Sequence, residues 1–291
     1  MDFIKDLEKI AKLFLDSFLV KYDTSLTTED ILELYVNVQL KLIKPQPRKV
    51  FRSKKLKNAS LDKHTIEVLD KIESKSINGE NLNPHLSKGL IKGKFTDLLF
   101  SDWKIYHFHL NTEIENNYFV KRSKNVLFCY IDNDAIYFVD IRPHGKNGER
   151  HVFAQKEILE IIYEEWSWIL EPYRLKGVID VEQVIDDPKE IQKMRTAGVN
   201  IIHKVKDGIF APMGGGITTA VTSVNTRIEA DRLIRMAREA EKYIDSNFDT
   251  IEDNLMKTGQ YQKGSSKFSL DLNDNGFYVV EENTKYIIPI K

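Results

Sequence analysis

The sequence predicts an α+β protein with N-terminal helices, a central antiparallel sheet flanked by helices, and a C-terminal α+β region. Two patterns support this prediction. Apolar residues recur every three or four positions in the first third of the chain, and from about residue 95 they alternate with polar ones. The length of 291 residues predicts more than one domain. We expect an N-terminal helical region with a basic linker at 1–60, a central domain at 61–175 and a C-terminal domain at 176–291.

Composition excludes several classes of protein. The chain is 42% hydrophobic, so long disorder is not expected, and its net charge of −1 produces no overall attraction to nucleic acid or membrane. Cys129 is the only cysteine, which excludes an intramolecular disulfide and a zinc site built from several thiolates. We find no signal peptide and no apolar run long enough to span a membrane. These features predict a cytoplasmic protein.

The N-terminal helices are predicted at 2–22, 28–43, 61–79 and, as a short helix, 83–93. Thr27 or Thr28 can cap the second helix, Pro45 and Pro47 follow its end, and Gly79 is a suitable C-terminal cap for the third. Between them, six of the ten residues at 48–57 are basic. This segment is interpreted as a solvated connector, with a linker that binds nucleic acid or a partner as the alternative.

Strands are predicted at 103–110, 118–121, 125–131 and 135–141, and Asp132-Asn133-Asp134 predicts a tight turn between the last two. A helix follows at 154–170. The last third is predicted to contain a strand at 178–184, helices at 188–197 and 226–246, strands at 200–205 and 209–211, and a β region at 265–290 with its turn at 274–276.

Three histidines are the main candidates for chemistry. His107 and His109 are two residues apart in a predicted strand, so their side chains leave the same face. His144 follows the 135–141 strand, and if that strand lies beside the His107 strand the three imidazoles converge. Converging imidazoles can supply a general acid and a general base, or they can bind zinc. The structural alternative is that they are half-buried strand residues.

Basic residues at the ends of the predicted helices and strands surround these histidines. An arginine beside a histidine pair suits phosphodiester cleavage, because a guanidinium binds phosphate and stabilises its developing charge. The alternative for each is ordinary solvated surface. The candidate substrate-binding residues are Lys88, Lys92, Lys121 and Arg142, and Arg122 is the candidate catalytic arginine.

The glycine-rich segment Gly214-Gly215-Gly216 is a weaker candidate. Such a loop can cradle a phosphate through its backbone amides, but this one lacks the lysine and hydroxyl residue of a P-loop. A tight turn where two backbone segments approach closely is the alternative.

Residues 61–151 resemble the RelE-type toxins and, more broadly, the small microbial ribonuclease fold. The resemblance rests on the order of elements: a helix and Lys88-Gly89, the strand ending at His109, a strand carrying Arg122, and the hairpin that leads to His144. It implies metal-independent RNA cleavage without a cofactor. Arg122 would match the strand arginine that holds phosphate, His144 the late-strand catalytic residue, and Lys88 the basic residue of the preceding helix. Unlike RelE toxins, this chain is long and nearly neutral.

We therefore expect a metal-independent endoribonuclease or toxin-like protein. His107 or His109 would act as the base, His144 as the acid and Arg122 as the phosphate ligand. The resemblance implies RNA as substrate, with phage defence or a toxin–antitoxin pair as context and an antitoxin as a possible protein partner. One alternative is a zinc-dependent hydrolase using three histidines. The other is a non-enzymatic binding or assembly protein of a mobile element, which predicts that His107 and His144 lie too far apart to act together.

Overall fold

The computed structural model describes residues 1–93, 96–115, 118–145, 150–178, 185–273 and 276–288. Among these residues the chain forms two compact units. The terminal unit comprises residues 1–40, 91–93 and 226–288, and the central unit comprises residues 41–90 and 96–225. This division differs from the three domains predicted with boundaries at 60 and 175, because residues 1–40 group with the C-terminal residues and residues 61–90 group with the central sheet.

The helices and strands of both units confirm the α+β class. In chain order the helices are α1 (Phe3–Ser17), α2 (Thr28–Gln39), α3 (Lys54–Lys57), α4 (Lys63–Asn78), α5 (Leu98–Trp103), α6 (Glu157–Trp166), α7 (Pro188–Thr196), α8 (Val224–Ser246) and α9 (Phe248–Met256). Short 3₁₀ helices lie at Asn83–His85, Lys88–Ile91, Arg150–Ala154, Ser167–Ile169 and Glu171–Tyr173.

The strands are β1 (Lys49–Arg52), β2 (Tyr106–His109), β3 (Ile114–Glu115), β4 (Phe119–Val120), β5 (Asn125–Ile131), β6 (Ala135–Pro143), β7 (His203–Val205), β8 (Gly208–Phe210), β9 (Phe268–Asn273), β10 (Gly276–Glu281) and β11 (Ile287–Ile288). The predicted strand at 178–184 lies outside the described residues from position 179 onward.

The central unit is built on a four-stranded sheet in the order β1-β6-β5-β2. The β5–β6 hairpin is confirmed, and its turn is closed by the Asp132 carboxylate, which accepts hydrogen bonds from the backbone N–H of Asp134 and Ala135 at 2.9 and 2.7 Å. The strand β1 pairs in parallel with β6, whereas the other two pairings are antiparallel. The connector predicted at 48–57 is therefore wrong in part, because Lys49–Arg52 is an edge strand.

The strand predicted at 103–110 is shorter in the structure. Trp103 ends α5 instead, Lys104 has a φ of 55°, and β2 begins at Tyr106. The cause is tertiary: Trp103 is fully buried and its indole N–H donates to Nε2 of His203 at 3.0 Å. Burial of this large ring therefore overrides the local alternation that predicts a strand.

The glycine-rich segment packs against α5. The backbone N–H of Gly214 donates to the Asp102 carbonyl oxygen and that of Gly216 to the Ser101 carbonyl oxygen, each at 2.9 Å. A Cβ at Gly214 would clash with the carbonyl oxygens of Phe100 and Ser101. These two amides are thus already hydrogen-bonded within the protein. A tight turn where two backbone segments approach closely accounts for the segment better than a phosphate cradle.

The terminal unit combines helices with a small antiparallel sheet in the order β11-β10-β9. A capping box at Thr27 and Asp30 begins α2. Asp6 of α1 accepts the backbone N–H of Leu270 in β9 at 2.9 Å, and Glu241 of α8 accepts that of Phe3. In the described part of the chain no helix is long and apolar enough to cross a membrane.

Candidate functional site

His107 and His109 lie on β2 and share one face, as their spacing predicts. Their ring centroids are 6.2 Å apart. The strand β2 is an edge strand paired with β5, and both side chains point into a packed region: His107 is 8% exposed and His109 is 4% exposed. The two imidazoles therefore form the inner part of a cluster.

His144 completes this cluster from the end of β6. Its ring centroid lies 4.9 Å from that of His109, nearly parallel to it, and 6.0 Å from that of His107. The strand that leads to His144 does not lie beside the His107 strand, because β5 separates β6 from β2. His144 reaches the histidines from beyond the strand end, where its backbone N–H donates to the Lys124 carbonyl oxygen at 2.8 Å. We call His107, His109, His144 and Arg122 the imidazole cluster.

Arg122 is exposed and covers the outer side of the imidazole cluster. Its Nη2 lies 2.7 Å from Nδ1 of His144. Because a guanidinium only donates hydrogen bonds, Nδ1 of His144 accepts, and the proton of the neutral ring is on Nε2. His109 has the same arrangement: its Nδ1 accepts the backbone N–H of Ser123 at 3.3 Å. His144 and His109 therefore each keep an Nε2–H that can donate to an anion.

Asp97 faces His107 on the inner side. It caps the N-terminus of α5, and its Oδ2 lies 3.7 Å from Nδ1 of His107. That nitrogen is buried, and none of the described residues forms a hydrogen bond with it. A small pocket of about 20 Å³, enough for a water molecule, opens beside it, with Lys41 and Phe100 among its lining residues. The carboxylate favours a proton on Nδ1 of His107, which leaves the lone pair on Nε2.

The electrostatic environment keeps these imidazoles neutral at pH 7. Burial, followed by the neighbouring imidazoles and Arg122, lowers the pKa of His109 to about 3. Burial and then Arg122 lower the pKa of His144 to about 4. Burial also lowers the pKa of His107, although Asp97 opposes that effect. Arg122 and the N–H donors attract an anion, whereas burial disfavours a charge of either sign.

Most of the predicted substrate-binding residues are engaged elsewhere. Arg142 is buried, and its Nε donates to Asp140 at 2.7 Å while Nη1 contacts Gln155, so the structure gives it contacts within the fold. Lys88 forms an ion pair with Glu115, and Lys121 forms one with Glu113 at 2.5 Å.

Lys92, the remaining basic candidate, belongs to the terminal unit. Its backbone forms a parallel bridge with Lys21 of the same unit. Arg122 is thus the one predicted basic residue that the described structure shows in contact with a histidine of the imidazole cluster.

The geometry bears on both alternative functions. Among the described residues, no group of three or more histidine, cysteine, aspartate or glutamate side chains is placed to hold a metal ion. Nδ1 of His144 is bonded to the Arg122 cation, and Nδ1 of His109 accepts the backbone N–H of Ser123. The non-enzymatic alternative predicts that His107 and His144 lie far apart, yet their ring centroids are 6.0 Å apart.

Sequence reasoning missed Asp97 and Ser123. Asp97 comes ten residues before His107 and reads only as a possible helix cap, and Ser123 carries no signal besides its position next to Arg122. Phe153 was also missed; its ring lies 5.0 Å from His107 and 5.5 Å from His144.

No protein-family model, curated protein or solved structure matches this chain.

Proposed function

We propose that this protein is a metal-independent endoribonuclease whose active site is the imidazole cluster. The observation that carries the proposal is the contact of 2.7 Å between Arg122 and His144, next to His107, whose imidazole faces the Asp97 carboxylate. In this proposal Arg122 is the phosphate ligand, and the neighbouring imidazoles are the acid and the base. Substrate enters from the Arg122–His144 side in this proposal, because His107 and His109 are buried.

His107 is the general base of the proposed reaction. Asp97, 3.7 Å from Nδ1, acts as a positioning residue that favours the tautomer with a free lone pair on Nε2. Nε2 takes the proton from the ribose 2′-hydroxyl as the 2′-oxygen forms its bond to phosphorus. The sequence left His107 and His109 as equal candidates for the base. A backbone N–H donates to Nδ1 of His109, whereas a carboxylate lies beside Nδ1 of His107. These contacts favour His107 as the base.

His144 is the general acid, and Arg122 stabilises the developing charge. As the bond from phosphorus to the 5′-oxygen breaks, an imidazolium at His144 donates its proton to that oxygen, and the products are a 2′,3′-cyclic phosphate and a 5′-hydroxyl. In the free protein this imidazole is neutral at pH 7 because its pKa is about 4. A bound phosphodiester brings a negative charge, which raises the pKa of His144 and favours the acid form.

The resemblance to RelE-type toxins agrees with this chemistry and extends the proposal to context. A toxin-like ribonuclease would act in the cytoplasm on cellular or phage RNA, in phage defence or in a toxin–antitoxin pair. Its protein partner would then be an antitoxin that covers the imidazole cluster. The single buried thiol, Cys129, suits a reducing compartment.

The proposal is tested with a synthetic single-stranded RNA, incubated with purified protein in the presence and absence of EDTA. We expect cleavage that survives EDTA and leaves a 2′,3′-cyclic phosphate. An otherwise identical oligonucleotide with deoxyribose at every position should stay intact, because it lacks the attacking hydroxyl. His144→Ala should reduce the rate by at least about a hundredfold, in the range of general acid–base catalysis.

The matched control is His64→Ala, since His64 is an exposed histidine on α4 of the same unit. This variant should cleave at the wild-type rate. Cleavage that EDTA abolishes, or that His144→Ala leaves unchanged, would overturn the proposed mechanism. Absence of cleavage by the wild-type protein, with RNA binding that depends on Arg122, would reassign the cluster to anion binding.

A further inference from the structure

A second surface of the central unit lies at the opposite edge of the four-stranded sheet from the imidazole cluster. It is formed by Lys49 and Phe51 of β1, Lys54 and Lys57 of α3, and Trp168, and we call it the aromatic–basic surface. The sheet order β1-β6-β5-β2 places β1 on one edge and the histidine-bearing β2 on the other. The proposed ribonuclease chemistry makes no use of this surface.

Two large aromatic rings are exposed on this surface. Phe51 is 42% exposed and Trp168 is 58% exposed. Both contact Tyr137: the Phe51 ring stacks on the Tyr137 ring with centroids 5.2 Å apart, and the Trp168 indole hydrogen-bonds to the Tyr137 hydroxyl. Tyr137 itself is buried against Trp166, at a centroid distance of 5.1 Å. The exposed rings of Phe51 and Trp168 therefore pack on a buried tyrosine.

The basic residues around these rings divide into two sets. Three are used by the fold: Arg48 is buried and bonded to backbone carbonyls, Arg52 pairs with Asp70 and Glu73, and Lys55 pairs with Asp140. The others, Lys49, Lys54 and Lys57, have exposed side chains whose ammonium groups form no ion pair with any acidic residue that the structure describes. The backbone N–H of Lys54 donates to the Glu165 carboxylate at 2.8 Å. Lys49 and Phe51 are two residues apart on β1 and leave the same face of the strand.

We propose that the aromatic–basic surface binds single-stranded nucleic acid. Exposed rings flanked by unpaired lysines supply the two contacts that such ligands need, since bases stack on aromatic faces and phosphates are attracted to cations. A duplex fits poorly, because its bases are already stacked and unavailable to Phe51 and Trp168. The net charge of −1 gives the chain no general affinity for nucleic acid, so binding must come from a local surface such as this one.

The test measures binding of a fluorescein-labelled single-stranded DNA of twelve mixed-sequence nucleotides, which lacks the 2′-hydroxyl and is not a substrate of the proposed reaction. We expect Phe51→Ala with Trp168→Ala to weaken binding at least about tenfold. Lys49→Gln, Lys54→Gln and Lys57→Gln together should reduce the slope of log affinity against log salt by about 2, because each phosphate contact contributes about 0.7.

The matched controls lie on α4 of the same unit. Ile66 and Ile77 are 43% and 53% exposed, so their double alanine variant removes comparable exposed apolar side chains. Lys63→Gln and Lys71→Gln remove exposed charge. Both controls should bind as the wild type does. Thermal melts establish that each variant is folded.

Three outcomes would overturn the proposal. Equal affinity of the wild type and the aromatic variant is the first, and preference for duplex over single-stranded DNA is the second. In the third, the aromatic variant binds DNA normally but loses a self-association seen by sedimentation, which would make this surface a protein interface. Quenching of tryptophan fluorescence on DNA binding, lost in Trp168→Phe, would support the proposal, because Trp103 and Trp166 are buried.

Discussion

Nη2 of Arg122 donates to Nδ1 of His144 at 2.7 Å, so a cation sits on the nitrogen through which this imidazole would otherwise accept a proton. After burial, Arg122 is the largest cause of the low pKa of His144, which is about 4. This one contact links the charge of the imidazole cluster to pH, and the first two predictions follow from it.

Arg122→Gln should raise the pKa of His144 from about 4 towards the ordinary value of 6.5. The reason is that the variant removes a positive charge that opposes protonation of the ring. An NMR titration of the imidazole carbon-bound protons measures the shift. Lys63→Gln removes an exposed charge from α4 and serves as the control. An unchanged pKa of His144 in Arg122→Gln would show that Arg122 does not contact the ring in solution.

RNA cleavage should be favoured by acidic pH. In the proposed reaction His144 must be protonated, and its pKa in the free protein is about 4. The value of kcat/KM should therefore fall as pH rises from 5 to 8. The value of kcat should begin to fall at a higher pH than kcat/KM does, because bound phosphate raises the pKa of His144. A pH–rate profile measures both constants. A kcat/KM that increases over this range would contradict the role of His144 as the acid.

Asp97→Asn should lower kcat more than it changes KM. Asp97 faces His107 at 3.7 Å and is proposed to favour the useful tautomer of that ring, while it does not contact substrate. We expect a loss of about tenfold to a hundredfold in kcat, with partial recovery in Asp97→Glu. Since Asp97 also caps α5, a thermal melt must accompany the kinetics. Equal loss in both variants with an unchanged pH profile would indicate a purely structural role.

The free energy of unfolding should decrease as pH falls from 6.5 to 4. His85 is 2% exposed and contacts the His109 carbonyl oxygen at 3.1 Å, and burial lowers its pKa to about 4. The unfolded state binds the proton near pH 6.5, so the stability that this group contributes is complete above 6.5 and is lost towards 4. Its share is at most about 3 kcal/mol.

Urea unfolding at several pH values measures this dependence. His85→Asn keeps a side-chain amide near the His109 carbonyl oxygen and removes the titration, so its stability should vary less with pH between 4 and 6.5. His64→Asn replaces an exposed histidine and should leave the wild-type dependence in place. Identical pH dependence in the wild type and His85→Asn would contradict the assignment.

Arg195→Met should destabilise the protein by about 3–5 kcal/mol, the range for breaking a buried ion pair. Arg195 is 1% exposed, its Nε donates to Asp102 at 2.8 Å, and its guanidinium lies 4.3 Å from the Trp103 ring. The variant leaves the Asp102 carboxylate buried without its guanidinium partner.

The exposed pair Lys63–Glu67 provides the control, because Lys63→Met should change stability by less than about 1 kcal/mol. Combining Arg195→Met with Asp102→Asn should cost less than the sum of the two single changes, since no unpaired carboxylate remains. Strict additivity in denaturant unfolding would mean that the two side chains do not interact as the structure has them.

Local signals in the sequence were enough for the fold class and for many helices and strands. The period of apolar residues predicted α4, whose end at Gly79 has the left-handed φ of 73° expected of a C-terminal cap. Alternation and the Asp132 turn predicted the β5–β6 hairpin, and the strand Asn125–Ile131 has the predicted bounds. In each case the determining interaction, a cap or a turn, lies within a few residues along the chain.

For the imidazole cluster, the sequence by itself determined that His107 and His109 leave the same face, because residues two apart in a strand always do. Only the tertiary structure decided the rest. Asp97 faces His107 because the first turn of α5 lies beside β2, and Arg142 forms a buried ion pair with Asp140. Likewise β1 forms in a basic segment because β6 offers it a partner, a contact across 86 residues for Lys49 and Ala135. Such long-range pairings depend on packing that no local pattern records.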